Sequence, residues 1–173
     1  MEMWKAIDSL RVVREFEARS PDDDDLIRII DAGRRAGSSK NLQRWAFILV
    51  RDRDRLNELS KAGPWAGHIA GAAAAVALVT PDPQLPDQPL SLMWDLGRAA
   101  QNMVLAAWDL GVGSAPATVY EHDAVKNILD LPTDRHCEYI LSFGYPADPS
   151  ARTTPKRAGG RLPLSEVLHE ETW

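Results

Sequence analysis

The sequence predicts an α+β or three-layer sandwich architecture. Three observations carry that expectation. The N-terminal third reads as helix, short apolar runs typical of buried strands alternate with amphipathic stretches, and one long apolar helix crosses the middle of the chain. The 173 residues fit one domain, 1–173, long enough to bury one sizeable core but not two.

A short helix is expected near residues 3–9. LRVVREF, residues 10–16, follows as an extended or turning segment with arginines at 11 and 14. Ser20-Pro21-Asp22-Asp23 reads as a helix start, with Ser20 as cap, Pro21 in the first helical position and aspartates at the positive end of the dipole. Leu26, Ile29, Ile30 and Gly33 then recur at helical spacing. The acidic run 22–25 reads as a solvated helix start in preference to a metal site.

Residues 46–50 form a short apolar run read as a buried strand. RDRDRLNELSKAG follows as an amphipathic helix ending at Gly63, and residues 72–79 give a second apolar strand. TPDPQLPDQP holds four prolines in ten residues and must be a loop. Residues 91–110 form the clearest helix, apolar nearly all round and rich in small residues, which points to burial on most sides and to a subunit interface. A short helix over 123–130 and a third strand over 139–143 complete the reading.

Composition narrows the function. Hydrophobic residues at 45% and charged residues at 26% are ordinary for a globular protein, and a net charge of −5 argues against a nucleic-acid binder. The single cysteine, Cys137, rules out an internal disulfide framework and points to a reducing compartment. The first residues lack the apolar core of a signal peptide, and AGAAAAVALV is about half the length a membrane span needs, so a cytoplasmic location and no membrane association are expected. Six tryptophans imply large flat surfaces at a core, an interface or a ring-shaped ligand.

Protein-based catalysis finds no support. GVGSAP, residues 111–116, follows a helix and lacks the third glycine of a dinucleotide turn, so it reads as a helix stop at Gly111. His136-Cys137-Glu138 has no partner motif, and a buried or turn cysteine is the better reading. His68, His122 and His169 show no metal-ligand spacing, and no metal site is expected. Arg11 and Arg14, with Lys156, Arg157 and Arg161 in a glycine-containing tail, suit bidentate phosphate recognition. Together with the neutral polar cluster AGSSKNLQRW at 36–45, they point to a phosphorylated cofactor that carries the chemistry while the protein binds and orients it.

Five segments in order then resemble the FMN-dependent nitroreductases, from about residue 5 to the C-terminus. LRVVREF is similar to that family's basic opening, and AGSSKNLQRWAFILV to its Pro-Ser-Ser-x-Asn-x-Gln-Pro-Trp motif and following strand. WDLGRAAQNMVLAAWDLGVGS resembles its central helix with the Gln-Asn pair and Gly-x-Gly end. YILSFGYPA resembles its last core strand and Gly-Tyr-Pro turn, and GRLPLSEVLHEETW its closing tail.

The resemblance implies a three-layer α/β/α sandwich around a mostly antiparallel sheet, one FMN-binding domain, and an interlocked homodimer with FMN at the subunit interface. It implies that Arg11, Val12, Arg14 and Arg161 lie at the FMN phosphate and ribityl chain. Ser38, Ser39 and Asn41 would reach a flavin bound mainly by the other subunit. Pro116, Ala117 and Thr118 would lie along the isoalloxazine ring, with the Thr118 N–H near N5. NAD(P)H would be the electron donor and a nitroaromatic, quinone or similar small molecule the acceptor, in ping-pong turnover. The alternatives are a flavin-binding storage or sensing protein, or a flavin-remodelling or dehalogenating branch.

Several positions depart from the family pattern. Val12 replaces a usual serine, Leu10 a frequent arginine, Gly159 a lysine, and Gly37 and Arg44 two prolines. Each lost donor to a charged group costs about 1.5–3 kcal/mol when nothing replaces it. The loop at 80–90 is shorter than the helical cover many members carry.

Overall fold

The structure, a computed structural model, describes residues 2–153 and 160–173. The elements run α1 (Met3–Ser9), α2 (Asp23–Arg34), β1 (Ala46–Val50), α3 (Arg53–Leu59), β2 (Ala74–Pro81), α4 (Ser91–Asp109), β3 (Gly113–Thr118), α5 (His122–Ile128), β4 (Arg135–Gly144) and α6 (Leu164–Val167). Short 3-10 turns occupy Ser39–Asn41, Gly67–Gly71 and Pro149–Arg152.

The four strands form one sheet in the order β1-β2-β4-β3, and every neighbouring pair is antiparallel. Alternation along β2 splits the core in two, because successive side chains point to opposite faces. Val76 and Leu78 join Leu141 and Phe143 beneath Ile29 of α2 and Leu96, Met103 and Ala107 of α4. Ala75, Ala77 and Val79 join Ala117 and Ile140 beneath Leu56 and Leu59 of α3, Ile69, and Val125 of α5. The result is the expected three-layer α/β/α arrangement. No helix among the described residues is long and apolar enough to cross a membrane.

Helices α2 and α4 approach closely because Gly33 leaves room for Met103. A Cβ at residue 33 would lie 2.2 Å from the Met103 Cε. Asn102 fixes the crossing by donating to the Ala32 carbonyl at 3.1 Å. At the far end of α4, the fully buried Trp108 donates its indole N–H to Ser9 Oγ at 2.9 Å, which docks α1. Gly111, at φ 84°, stops the helix as the sequence implied.

Several expectations need correcting. The cap of α2 is Asp22, with Ser20 and Pro21 outside the helix, since the extended backbone of 22 is where the chain turns into helical geometry. Helix α3 ends at Leu59, short of Gly63: Asp52 caps its start by accepting from Arg55 N–H, and residues 60–66 continue as turns. β1 is an edge strand, only Val50 of it buried, because nothing among the described residues pairs its outer side.

Thr80 and Pro81, read as loop, extend β2, and β4 begins at Arg135, so both central strands are longer than their apolar runs. Helix α4 is not buried nearly all round: Trp94, Gly97, Arg98 and Gln101 form an exposed stripe at helical spacing. β3 was unforeseen. GSAPAT carries neither alternation nor aromatic or aliphatic bulk, and its strand character comes from pairing with β4 along Gly113–Thr118.

Cys137 is buried in the core beneath α5, with its thiol donating to the Tyr139 carbonyl at 3.4 Å. Burial pushes its pKa up to about 12. The native protein should therefore resist iodoacetamide at pH 8, where the unfolded chain reacts; rapid labelling of folded protein would contradict this placement.

Candidate functional site

Residues 10–17 are stitched along the outer edge of β3. Val13 N–H donates to the Ser114 carbonyl at 2.9 Å in a parallel bridge between Val12 and Ser114. Glu17 N–H donates to the Tyr145 carbonyl at 3.0 Å, and Phe16 bridges Pro146. Two glycines admit the segment: a Cβ at Gly113 would lie 2.6 Å from Val13 Cβ, and one at Gly144 would lie 2.8 Å from the Phe16 ring. Arg14 is thereby held exposed beside the sheet.

The Ser114 carbonyl points outward, away from β4. Alternation along a strand then turns the backbone groups of Pro116 and Thr118 outward too. Pro116, lacking an N–H, suits this edge position. The side chains divide: Pro116 is exposed, Thr118 half-buried, and Ala117 is packed in the core, so Ala117 presents no side chain to a ligand.

His68 enters this site from the turn Gly67–Gly71. Its Nδ1 lies 2.8 Å from Ser142 Oγ, and that hydroxyl donates to the Ala115 carbonyl at 3.3 Å. The other ring nitrogen, Nε2, is buried without a hydrogen-bond partner among the described residues. Arg14, Pro64, Trp65, Gly67 and His68 line a cavity of about 460 Å³. Burial, and then the neighbouring Arg14 charge, lower the His68 pKa, with the Pro116 carbonyl pulling the other way.

That shift has a sign that can be tested. Above the ordinary value of 6.5 both states hold a neutral imidazole. Below it the unfolded chain takes up the proton first, so stability falls as pH drops through this window. His68→Gln should flatten the acid side of a urea-midpoint profile taken between about pH 7 and 5. An unchanged slope would mean that His68 does not titrate differently on folding.

The serine turn lies elsewhere. Ser39 N–H donates to Asp95 Oδ2 of α4 at 2.8 Å, and Ser38 Oγ accepts from Gln43 N–H at 3.0 Å. Gln43 Nε2 donates to Asn41 Oδ1 at 3.2 Å. Lys40, Asn41 and Gln43 all take positive φ, 51°, 56° and 48°. The turn is compact and its backbone conformation is one that side chains disfavour. It leads into β1, whereas Pro116 sits on β3 and Arg14 on the segment beside it. These are opposite edges, separated by three strand spacings, or about 14 Å.

The remaining predicted residues fall as follows. Arg11 is folded back on α1, donating to the Leu10 and Asp8 carbonyls at 2.9 and 3.1 Å. Val12 is exposed beside Ser114. Arg161 belongs to a C-terminal stretch, 160–173, in which every residue is exposed. Lys156, Arg157 and Gly159 lie outside the described residues.

Two participants escaped the sequence reading. His68 sits in a run of small residues with no motif, and only the fold brings it to Arg14. Asp95 left a trace as an acid well inside an apolar helix, a position that needs a partner when buried.

The chain resembles known proteins in both sequence and fold. The nitroreductase family model matches residues 7–76 and 64–145. A protein of Archaeoglobus fulgidus, provisionally named as an NADH dehydrogenase/NAD(P)H nitroreductase, is 35% identical over 153 residues, 85% of this chain and 87% of its own. An NADPH-flavin oxidoreductase of Vibrio harveyi is 30% identical over 176 residues, 94% of this chain and 71% of its own. The solved structure of an FMN-dependent nitroreductase from Clostridium difficile superposes with a TM-score of 0.83, covering 99% of this chain and 100% of its own at 23% identity. The match of most of the chain to one family model, with relatives at these identities, makes it a member of the nitroreductase family, whose members are flavin-dependent oxidoreductases.

Proposed function

We propose that the protein is an FMN-dependent NAD(P)H oxidoreductase acting on nitroaromatic, quinone or similar small acceptors, built as a homodimer of one FMN-binding domain per chain. The observation that carries this reading is the separation of the two polar groups. Arg14, His68 and the Pro116–Thr118 strand lie at one edge of the sheet and the Ser38–Asn41 turn at the other, the placement expected where two chains contribute to one flavin site. The exposed stripe of α4 and a fully exposed tail bearing Leu162, Leu164, Val167, Leu168 and Trp173 support pairing of chains, because a lone chain rarely leaves so much apolar surface in water.

The residues fit the cofactor. An exposed guanidinium and an imidazole line one cavity, the imidazole keeping a buried Nε2 without a partner among the described residues, and the segment that carries the guanidinium runs along the outward edge of β3. Arg14, and Arg161 from the tail, would hold the phosphate. The outward backbone groups of Pro116 and Thr118 would face the ring, and Ser38, Ser39 and Asn41 would reach it from the partner subunit. Bound FMN supplies two-electron chemistry between the nicotinamide donor and the acceptor. The chain's own contribution is to align both molecules on one face and to place donors toward developing negative charge. No side chain is assigned as general acid.

Because Arg11 spends donors on the end of α1 while Arg14 faces the cavity, Arg14→Ala should weaken FMN binding more than Arg11→Ala. The expected loss is about tenfold, or 1.4 kcal/mol, measured by fluorescence titration of apoprotein. Equal effects would mean that Arg11 swings round to the phosphate. Reconstitution itself tests the wider reading: one FMN per chain and a dimer by light scattering are expected. Colourless protein that cannot be reconstituted would overturn it.

A further inference from the structure

We propose that His122, His136 and Glu138 form a binding site for a divalent transition-metal ion, with Zn²⁺ the best match. The three residues come from two elements. His122 opens α5, while His136 and Glu138 stand near the start of β4. A register shift between Leu78 and Val79 leaves Glu138 as the extra residue of β4: Leu78 faces Tyr139 and Val79 faces Cys137. Such a bulge re-aims a side chain out of the ladder, and here it brings the Glu138 carboxylate to two imidazoles.

One ligand atom from each residue lies within 4.8 Å of the others. His136 Nε2 is 2.8 Å and His122 Nε2 is 3.9 Å from the same oxygen, Glu138 Oε2, and the two rings lie 4.7 Å apart between centroids. The shorter contact is a hydrogen bond; the longer one is not. Two ligands of a tetrahedral zinc ion, bonded at 2.0–2.1 Å, stand about 3.4 Å apart, so the second histidine needs only a small closure.

The local chemistry favours this ion over others. Among the described residues the ion-pair partners of Glu138 are the two histidines alone, and the nearby Lys126 is paired with Asp82 at 3.8 Å. Two imidazoles and one carboxylate suit zinc with a fourth position left to water, whereas calcium and magnesium prefer oxygen throughout. Cys137, between the two β4 ligands, is buried on the core side and takes no part. His122 is 38% and Glu138 30% exposed in their side chains, which gives the ion a path from solvent. The bound ion would clasp the start of α5 to the bulged strand. It requires no flavin and is independent of the proposed reaction.

The test uses the full chain after treatment with a chelator, titrated calorimetrically with ZnCl₂ at neutral pH. One ion per chain is expected. His122→Gln, His136→Ala and Glu138→Gln should each weaken binding by more than about 100-fold, beyond the loss typical for a mere supporting partner. His169→Ala, on the exposed tail, should bind as the unaltered protein does. Circular dichroism of each variant separates a lost ligand from a lost fold, and Glu138→Gln keeps the side chain's shape. Absence of a stoichiometric site in the unaltered protein, or equal affinity in the folded variants, would overturn the proposal.

Discussion

Gly113→Ala is expected to destabilise the protein by about 3 kcal/mol, at the upper end of the cost of overpacking a filled site. The new Cβ would meet Val13 at its Cβ and both γ-carbons, all within 2.9 Å. Val13 is β-branched and its backbone is bonded to Ser114, so it has no rotamer to escape into. The segment that carries Arg14 must lift from β3. FMN retention should fall together with the urea midpoint, which distinguishes this change from an ordinary core lesion. Val13→Ala introduced beside it should recover part of both losses, as coupled neighbours do. A Gly113→Ala protein with unchanged midpoint and flavin content would show that residues 10–17 are not held by this contact.

Asp95→Ala should cost about 1.5–3 kcal/mol, the range for a hydrogen bond to a charged group. The Asp95 carboxylate is buried and accepts the Ser39 N–H. Its loss also frees a turn in which three side-chain-bearing residues hold positive φ, a conformation that costs about 1–2 kcal/mol per residue and relaxes once the anchor is gone. Asp95→Asn keeps an acceptor and should lose less. A loss of flavin is expected even though Asp95 lies on the β1 side of the molecule, because in the proposed dimer the turn reaches the partner's site. Full retention of FMN by a folded Asp95→Ala dimer would separate the turn from the cofactor.

Much of the fold was legible because periodicity reports burial. Helices α2 and α4 and strand β2 carry their core faces in plain spacing. β3 was not legible because its six residues owe their conformation to β4 rather than to their own side chains. The ends of α2 and α3 were misplaced because backbone geometry, more than residue type, decides where a helix begins and stops.

The site was legible mainly through resemblance. Spacing alone pointed to arginines and a phosphorylated cofactor, yet it could not tell Arg14, facing the cavity, from Arg11, turned back on a helix end. The partners of His68 and Asp95 were hidden for a related reason: they lie 56 or more residues away in sequence, at Ser142 and Ser39. The His122, His136 and Glu138 cluster was hidden in the same way, since a strand bulge and a helix start bring it together.

The most direct test of the account is an anaerobic titration of the FMN-loaded protein with NADH and with NADPH, followed at the flavin absorbance. At least one nucleotide should bleach the flavin stoichiometrically, and a quinone added afterwards should restore the colour. Fully loaded protein that stays yellow with both nucleotides would contradict it.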